Sequence, residues 1–181
     1  MKNLEMDNAK KTVELFSGTG SFSKVAMLHG FSINTYDFAD SAVELVDGTH
    51  TKCNVLNRSV VYPEKPLFLW ASPPCQTFSI ASCSTHWTPE KECKTQACVN
   101  GLQVLERTIE IIGELQPTWF FIENPRGLMR KKIQPFFDSL DCSRLKCLYR
   151  HTITYCQYEK DIPATSRRMK PTDIWTNAYW W

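Results

Sequence analysis

The stretch "ASPPCQTFSIAS", residues 71–82, sets Cys75 directly behind Pro73 and Pro74, just after an apolar run that ends in Trp70. Two prolines stiffen the backbone and remove two N–H donors, so the thiol stands at the end of a strand rather than inside a ladder. A thiol held there is a candidate nucleophile once its thiolate forms, which needs positive charge or a helix dipole nearby. Arg126 is the candidate source of that charge. A buried structural cysteine is the bland alternative. The segment "ENPRG", residues 123–127, closes another apolar run and brings a second reactive group to the same sheet edge. Glu123, in a site able to raise its pKa, can supply a proton to a ring nitrogen while a thiol attacks the ring. Asn124 can hold a polar edge of the substrate. Taken singly, a strand-end glutamate is more often just solvated.

The third group is "FSGTGSFS", residues 16–23. Gly18 and Gly20 let the chain turn tightly at a strand end and approach a ligand, and the helix that follows offers free N–H groups. Phe16, Ser17, Gly18, Thr19 and Gly20 therefore suit a nucleotide-like cofactor, or form a plain strand-to-helix turn. The third glycine of the dinucleotide fingerprint is absent, which disfavours NAD. Asp37 follows at about the spacing at which a carboxylate accepts ribose hydroxyls, or is simply an exposed strand-end aspartate.

Short apolar strands alternating with helices must position these groups, the rhythm of an α/β sheet. Strands are expected at "TVELFSG", "SINTYDFA", "LFLWAS" (67–72), "TWFFIEN" (118–124) and "RHTITYCQY". A helix is expected over "SFSKVAMLHG", with Ser21 as N-cap and Gly30 as stop. The longest helix is expected from Lys94 to Leu115, because Val104, Leu105, Thr108, Ile111, Ile112 and Leu115 share one face before Pro117 ends it.

The 181 residues suit one domain, residues 1–181, with 43% hydrophobic and 22% charged side chains. A net charge of +2 neither announces nor excludes nucleic acid. No apolar run is long enough to cross a bilayer and no apolar signal segment opens the chain, so a cytoplasmic, reducing compartment with unpaired thiols is expected for the eight cysteines. Cys83, His86, Cys93 and Cys98 lack the paired short spacing of zinc sites, and no metal is assigned. The expected role of that segment is a flexible loop in which His86 and Trp87 touch substrate and Cys98 packs on the long helix. Arg126, Arg130, Lys131 and Lys132, with "SRRMK" (166–170), offer a track for phosphates or are solvated. Trp175, Trp180 and Trp181 are core or an exposed patch.

The order Phe-x-Gly-x-Gly, Pro-Pro-Cys-Gln and Glu-Asn, over residues 12 to about 130, resembles the DNA (cytosine-5) methyltransferase family in its compact phage and prophage form. "TYCQY" (154–158) and "MKPTDIWTN" (169–177) extend the likeness. The resemblance implies a Rossmann-like S-adenosylmethionine-dependent methyltransferase fold, a mostly parallel sheet with helices on both faces. It implies methyl transfer from S-adenosyl-L-methionine to carbon 5 of cytosine in DNA, in a phage-infected or bacterial cell. Cys75 inherits attack on carbon 6, and Glu123 the hold on ring nitrogen 3. Phe16 to Gly20 and Pro73 would line the cofactor, with Asp37 on its ribose and Phe38 near its adenine. Such enzymes flip the base out of the duplex. This chain departs from the pattern in three ways. "KCNVLN" offers Asn54 where an acidic residue often stands, the late strand has His151, Tyr155 and Gln157 in place of paired arginines, and no separate target-recognition domain or last helix is identified. A protein partner supplying recognition, or a non-catalytic binding relative, is the alternative.

Overall fold

A computed structural model describes residues 11–154, 156, 163, 166 and 169–181. The chain runs β1 (Lys11–Leu15), α1 (Ser21–Leu28), β2 (Ser32–Asp37), β3 (Gly48–Lys52) and β4 (Phe68–Ala71). A 3-10 turn at Ile80–Ser82 and the single-turn α2 (Cys83–His86) lead into α3 (Gln96–Leu115) and β5 (Trp119–Pro125). Short helices α4 (Met129–Lys132), α5 (Gln134–Asp138) and α6 (Ser143–Lys146) precede β6 (Tyr149–Thr154) and β7 (Pro171–Thr176). The strands form one sheet in the order β3-β2-β1-β4-β5-β7-β6. The first five strands run parallel, and β7 lies antiparallel to both β5 and β6. Strand order reverses between β1 and β4, and in such sheets a crevice opens there at the carboxyl ends. The residues that follow β1 and β4 are the glycine turn and the prolines before Cys75.

Strand alternation sends side chains to two apolar faces, as expected of a parallel sheet covered on both sides. Val13, Leu15, Leu69, Ala71, Phe120 and Ile122 share one core with Leu105, Ile109, Ile111, Ile112 and Leu115 of α3. On the other face Phe121, Ile174 and Ala178 pack with Phe68, Trp70 and Trp119. Trp175 is buried in β7, whereas Trp180 and Trp181 are 54% and 41% exposed against Trp119 and Phe121. Among the described residues no helix is long and apolar enough to cross a membrane.

Two helix starts differ from expectation. α3 begins at Gln96 rather than Lys94, because the Thr95 side chain accepts from the Cys98 N–H and caps the first turn. It ends at Leu115, with Gln116 as its C-cap, left-handed at φ 46°, just before Pro117. The cap of α1 is Gly20, not Ser21. Gly20 holds φ 66°, and a Cβ there would lie 2.2 Å from Val43 Cγ2, so both conformation and space call for glycine.

Candidate active site

The glycine turn is tied to the end of β2. Phe16 takes a left-handed φ of 60° and donates its N–H to the Tyr36 carbonyl at 2.8 Å. The Asp37 carboxylate accepts from the Gly18 N–H through one oxygen and from the Ala39 N–H through the other, each at 2.9 Å. Each oxygen keeps a further lone pair for a hydroxyl donor. Above this turn lies a cleft of about 530 Å³, whose walls include Phe16 to Thr19, Phe22, Trp70, Ser72, Glu123 and Lys170. Phe22 and Trp70 stack at 5.4 Å between ring centroids and form an apolar wall. Phe38 is 79% exposed, and Asn54 turns its carboxamide back to accept from the Leu56 N–H. Neither lines the cleft.

Glu14 was not anticipated from sequence. It is 3% exposed, lines the cleft, and accepts from both the N–H and the hydroxyl of Ser23. Burial pushes its carboxyl upward against the downward pull of the Ser23 hydrogen bonds. The available signal was a carboxylate inside the apolar run V-E-L, which demands a buried partner.

The Cys75 turn is held from three sides. Its own carbonyl accepts from the Phe78 and Ser79 N–H groups at 3.0 Å. From β5, the Asn124 amide donates to the Pro73 carbonyl at 2.8 Å. Beyond β5, Leu128 N–H donates to the Phe78 carbonyl at 2.8 Å and Gly127 bridges Ser79. From the loop ahead of α3, the Trp87 indole donates to the Thr77 carbonyl at 2.6 Å. The Cys75 thiol is free and half-buried. Pro73 and Cys75 follow Ser72, which lines the cleft, but do not line it themselves.

Asn124 is fully buried, its amide ties the thiol's turn to β5, and its Oδ1 is buried without a partner among the described residues. Glu123 does reach the cleft wall. Arg126 is exposed and lines a separate pocket with Cys83, so the structure does not bring it to the cleft.

The loop cysteines correct the expectation of unpaired thiols. Cys93 and Cys98 form a disulfide, because the Thr95 cap folds the first turn of α3 back beside Cys93. The set Cys83, His86, Cys93 and Cys98 is therefore not assembled around an ion, and His86 Nδ1 pairs with the Thr95 hydroxyl at 2.8 Å. Trp87, expected to touch substrate, is 2% exposed and packs beside Phe78.

Part of the expected basic track is spent inside the molecule. Lys132 Nζ sits 5.2 Å from the Trp87 ring centroid, and Arg130 forms a two-pronged pair with Asp173 of β7. Arg167 and Arg168, like Tyr155 and Gln157, lie outside the described residues. Asp173 is fully buried. Burial alone would raise its pKa, but the hydrogen bonds from Arg130 and Thr152 outweigh this and hold it below the ordinary carboxylate value. Arg130→Met is expected to cost about 3–5 kcal/mol, because a buried carboxylate loses its counter-charge. A depressed carboxyl stabilises above its unfolded pKa and loses that contribution as pH falls through the folded value. The cost, read from urea melts, should therefore be full at neutral pH and shrink in strong acid. An equal cost at both would refute the assignment.

The family model for C-5 cytosine-specific DNA methylase matches residues 10–142. A protein of Frog virus 3 (isolate Goorha), described as "Probable DNA (cytosine-5)-methyltransferase", is 35% identical over 130 residues, covering 68% of this chain and 58% of that protein. Among solved structures, a prophage-encoded protein of E. coli assigned as a DNA modification methyltransferase superposes with a TM-score of 0.58 at 15% identity, over 92% of this chain and 45% of that one. S. pombe Dnmt2 methyltransferase gives 0.54 at 14% identity, over 92% and 48%. Magnesium protoporphyrin IX methyltransferase from Synechocystis, solved with bound SAM, gives 0.53 at 9%, over 97% and 72%. At these identities the structural matches establish the fold, a Rossmann-like α/β methyltransferase sheet. The chain spans little more than half the length of its viral relative. With its thiol turn, strand-end carboxylate and glycine turn all inside the matched segment, the chain belongs to the C-5 cytosine-specific DNA methylase family.

Proposed function

We propose that the chain transfers a methyl group from S-adenosyl-L-methionine to carbon 5 of cytosine in DNA through a covalent bond to Cys75. The observation that carries this reading is one continuous crevice edge: the glycine turn, Glu14 and Glu123 share a cleft with Ser72, three residues before the thiol. The cleft's volume is in the range of small-molecule sites. The cleft and the turn beneath it also fit the family's cofactor: Gly18 in the lining is left-handed and admits close approach, Phe22 and Trp70 form an aromatic wall, and Asp37, bonded to the Gly18 N–H outside the lining, has spare lone pairs. When bound, the cofactor supplies an electrophilic methyl group.

The chain's own groups do the rest. The Cys75 thiolate adds to carbon 6 of the cytosine ring, which puts electron density on carbon 5. Glu123 holds ring nitrogen 3 and places a proton there as the sulfur attacks, so negative charge does not build on the ring. After carbon 5 is methylated, loss of its proton to a base, departure of the Cys75 thiolate and return of the nitrogen 3 proton to Glu123 restore the neutral aromatic ring. Asn124, through the Pro73 carbonyl, fixes the turn from which the thiol leaves. The target base must leave its stack to reach this edge, at a cost of about a few kcal/mol.

The test is transfer of labelled methyl groups to duplex DNA, single strands and free nucleotides, with the product identified by mass spectrometry. 5-Methylcytosine is expected in DNA, with an unpaired cytosine preferred over an intact duplex because no unstacking cost then has to be offset. Protein that binds cofactor in calorimetry but labels none of the substrates would make the chain a binding module instead. A sequence preference that emerges only on adding a second polypeptide would assign target recognition to a partner.

A further inference from the structure

A second pocket, of about 220 Å³, opens beside the thiol's turn and is bounded by Ile80, Cys83, Lys91, Arg126, Gly127, Leu128 and Arg130. No carboxylate lines it. Arg130 is neutralised by Asp173, but Lys91 and Arg126 make no ion pair among the described residues. Both are held on fixed backbone: the Arg126 N–H donates to the Pro171 carbonyl at 2.9 Å, and Lys91 donates to the Thr88 carbonyl at 3.0 Å in a turn where it takes φ 70°. Ile80 is 70% exposed, on a 3-10 turn pinned where the Ser82 hydroxyl pairs with Ser79 Oγ at 2.8 Å. The pocket therefore presents two uncompensated cations beside an apolar side chain.

That combination suits one unit of a nucleic-acid strand, a phosphodiester for the cations and its sugar for the apolar wall. The pocket is joined to the catalytic turn, since Ser79 bridges Gly127 and the Ser79 N–H bonds the Cys75 carbonyl. Resting on the function proposed above, we infer that this pocket holds a phosphodiester of the target strand close to the cytosine being methylated, with Lys91 and Arg126 as its two contacts. Arg126 then serves substrate placement rather than thiol activation. Lys91 comes from a loop that composition alone gave no reason to link with it.

The experiment is affinity of protein loaded with the demethylated cofactor for single-stranded oligonucleotides containing one unmodified cytosine, with an uncharged methylphosphonate placed singly at each nearby position; trapping of the matching 5-fluorocytosine strand by cofactor-loaded protein is read separately. For the unmodified chain, one or two adjacent positions are expected to lower affinity about tenfold. The Lys91→Gln/Arg126→Gln double variant is expected to bind the unmodified strand more weakly, to be indifferent to methylphosphonate at those same positions, and to lose about 0.7 from the slope of log affinity against log salt, the share of one neutralised phosphate. Uniform effects along the strand, or equal sensitivity in chain and variant, overturn the inference even while Cys75 still traps fluorocytosine. Absence of both binding and trapping on every strand removes the methyltransferase reading, and the pocket's assignment with it.

Discussion

Replacing Cys75 with serine is expected to lower methyl transfer by at least about four orders of magnitude while leaving the melting temperature unchanged. The size follows from the step removed. Cytosine carbon 5 is too electron-poor to take a methyl group until a nucleophile has added at carbon 6, and a serine hydroxyl is almost wholly protonated at neutral pH where a thiol is partly ionised. Losses of a covalent nucleophile elsewhere reach about 10⁴ to 10⁶ in turnover. Stability should hold because the thiol is half-buried and makes no hydrogen bond among the described residues, and serine differs from it by one atom. Trapping gives a second readout. With cofactor present, a cytosine bearing fluorine at carbon 5 should stay bonded to Cys75, since the final step requires loss of a proton that fluorine has replaced. The adduct is expected to vanish in Cys75→Ser and to survive in Cys83→Ser. The reverse pattern would show that the thiol in the neighbouring pocket is the nucleophile.

Local chemistry made the core of this site legible from sequence. Two prolines before a cysteine, glycines two apart after an apolar run, and a glutamate closing another run each describe a strand end, and the parallel sheet brings all three to one edge. The long α3 was legible for a similar reason, because Leu105, Thr108, Ile111, Ile112 and Leu115 repeat at helical spacing and all are buried. What was hidden depends on contacts between distant residues. Nothing near Gly20 announces that Val43 will press on it, and nothing near Asp173 names Arg130 as its partner. The Cys93–Cys98 disulfide is hidden in the sequence because an expected reducing compartment speaks for free thiols, whereas the pairing follows from the Thr95 cap. The residue type of Asn124 suits base edges and says nothing of a structural tie. Its burial against the Pro73 carbonyl could be read only once β4 and β5 were known to be neighbours.

Gly127→Ala is expected to slow the chemical step about a hundredfold without weakening cofactor binding. A Cβ at this position would stand 2.1 Å from the Phe78 carbonyl oxygen and 3.0 Å from its carbon. Both are backbone atoms, which cannot rotate aside as a side chain can, so the two segments must part. Separation breaks the Leu128 N–H bond to the Phe78 carbonyl, and Phe78 N–H is in turn bonded to the Cys75 carbonyl. The thiol's turn is thereby displaced from the position that Asn124 and Trp87 set for it. A misplacement of about 1 Å at a reacting group costs about 10² in rate. The glycine turn and Asp37 sit at the ends of β1 and β2, away from the displaced contact, so calorimetric affinity for the cofactor should be unchanged. Gly113→Ala is the control: its Cβ would meet Leu140 Cδ2 at 2.8 Å, the tip of a side chain that can turn, inside a helix where alanine is favoured. Single-turnover rates on one oligonucleotide should fall for Gly127→Ala alone. Equal rates in both variants would mean that the contact between Phe78 and Leu128 plays no part in aiming Cys75.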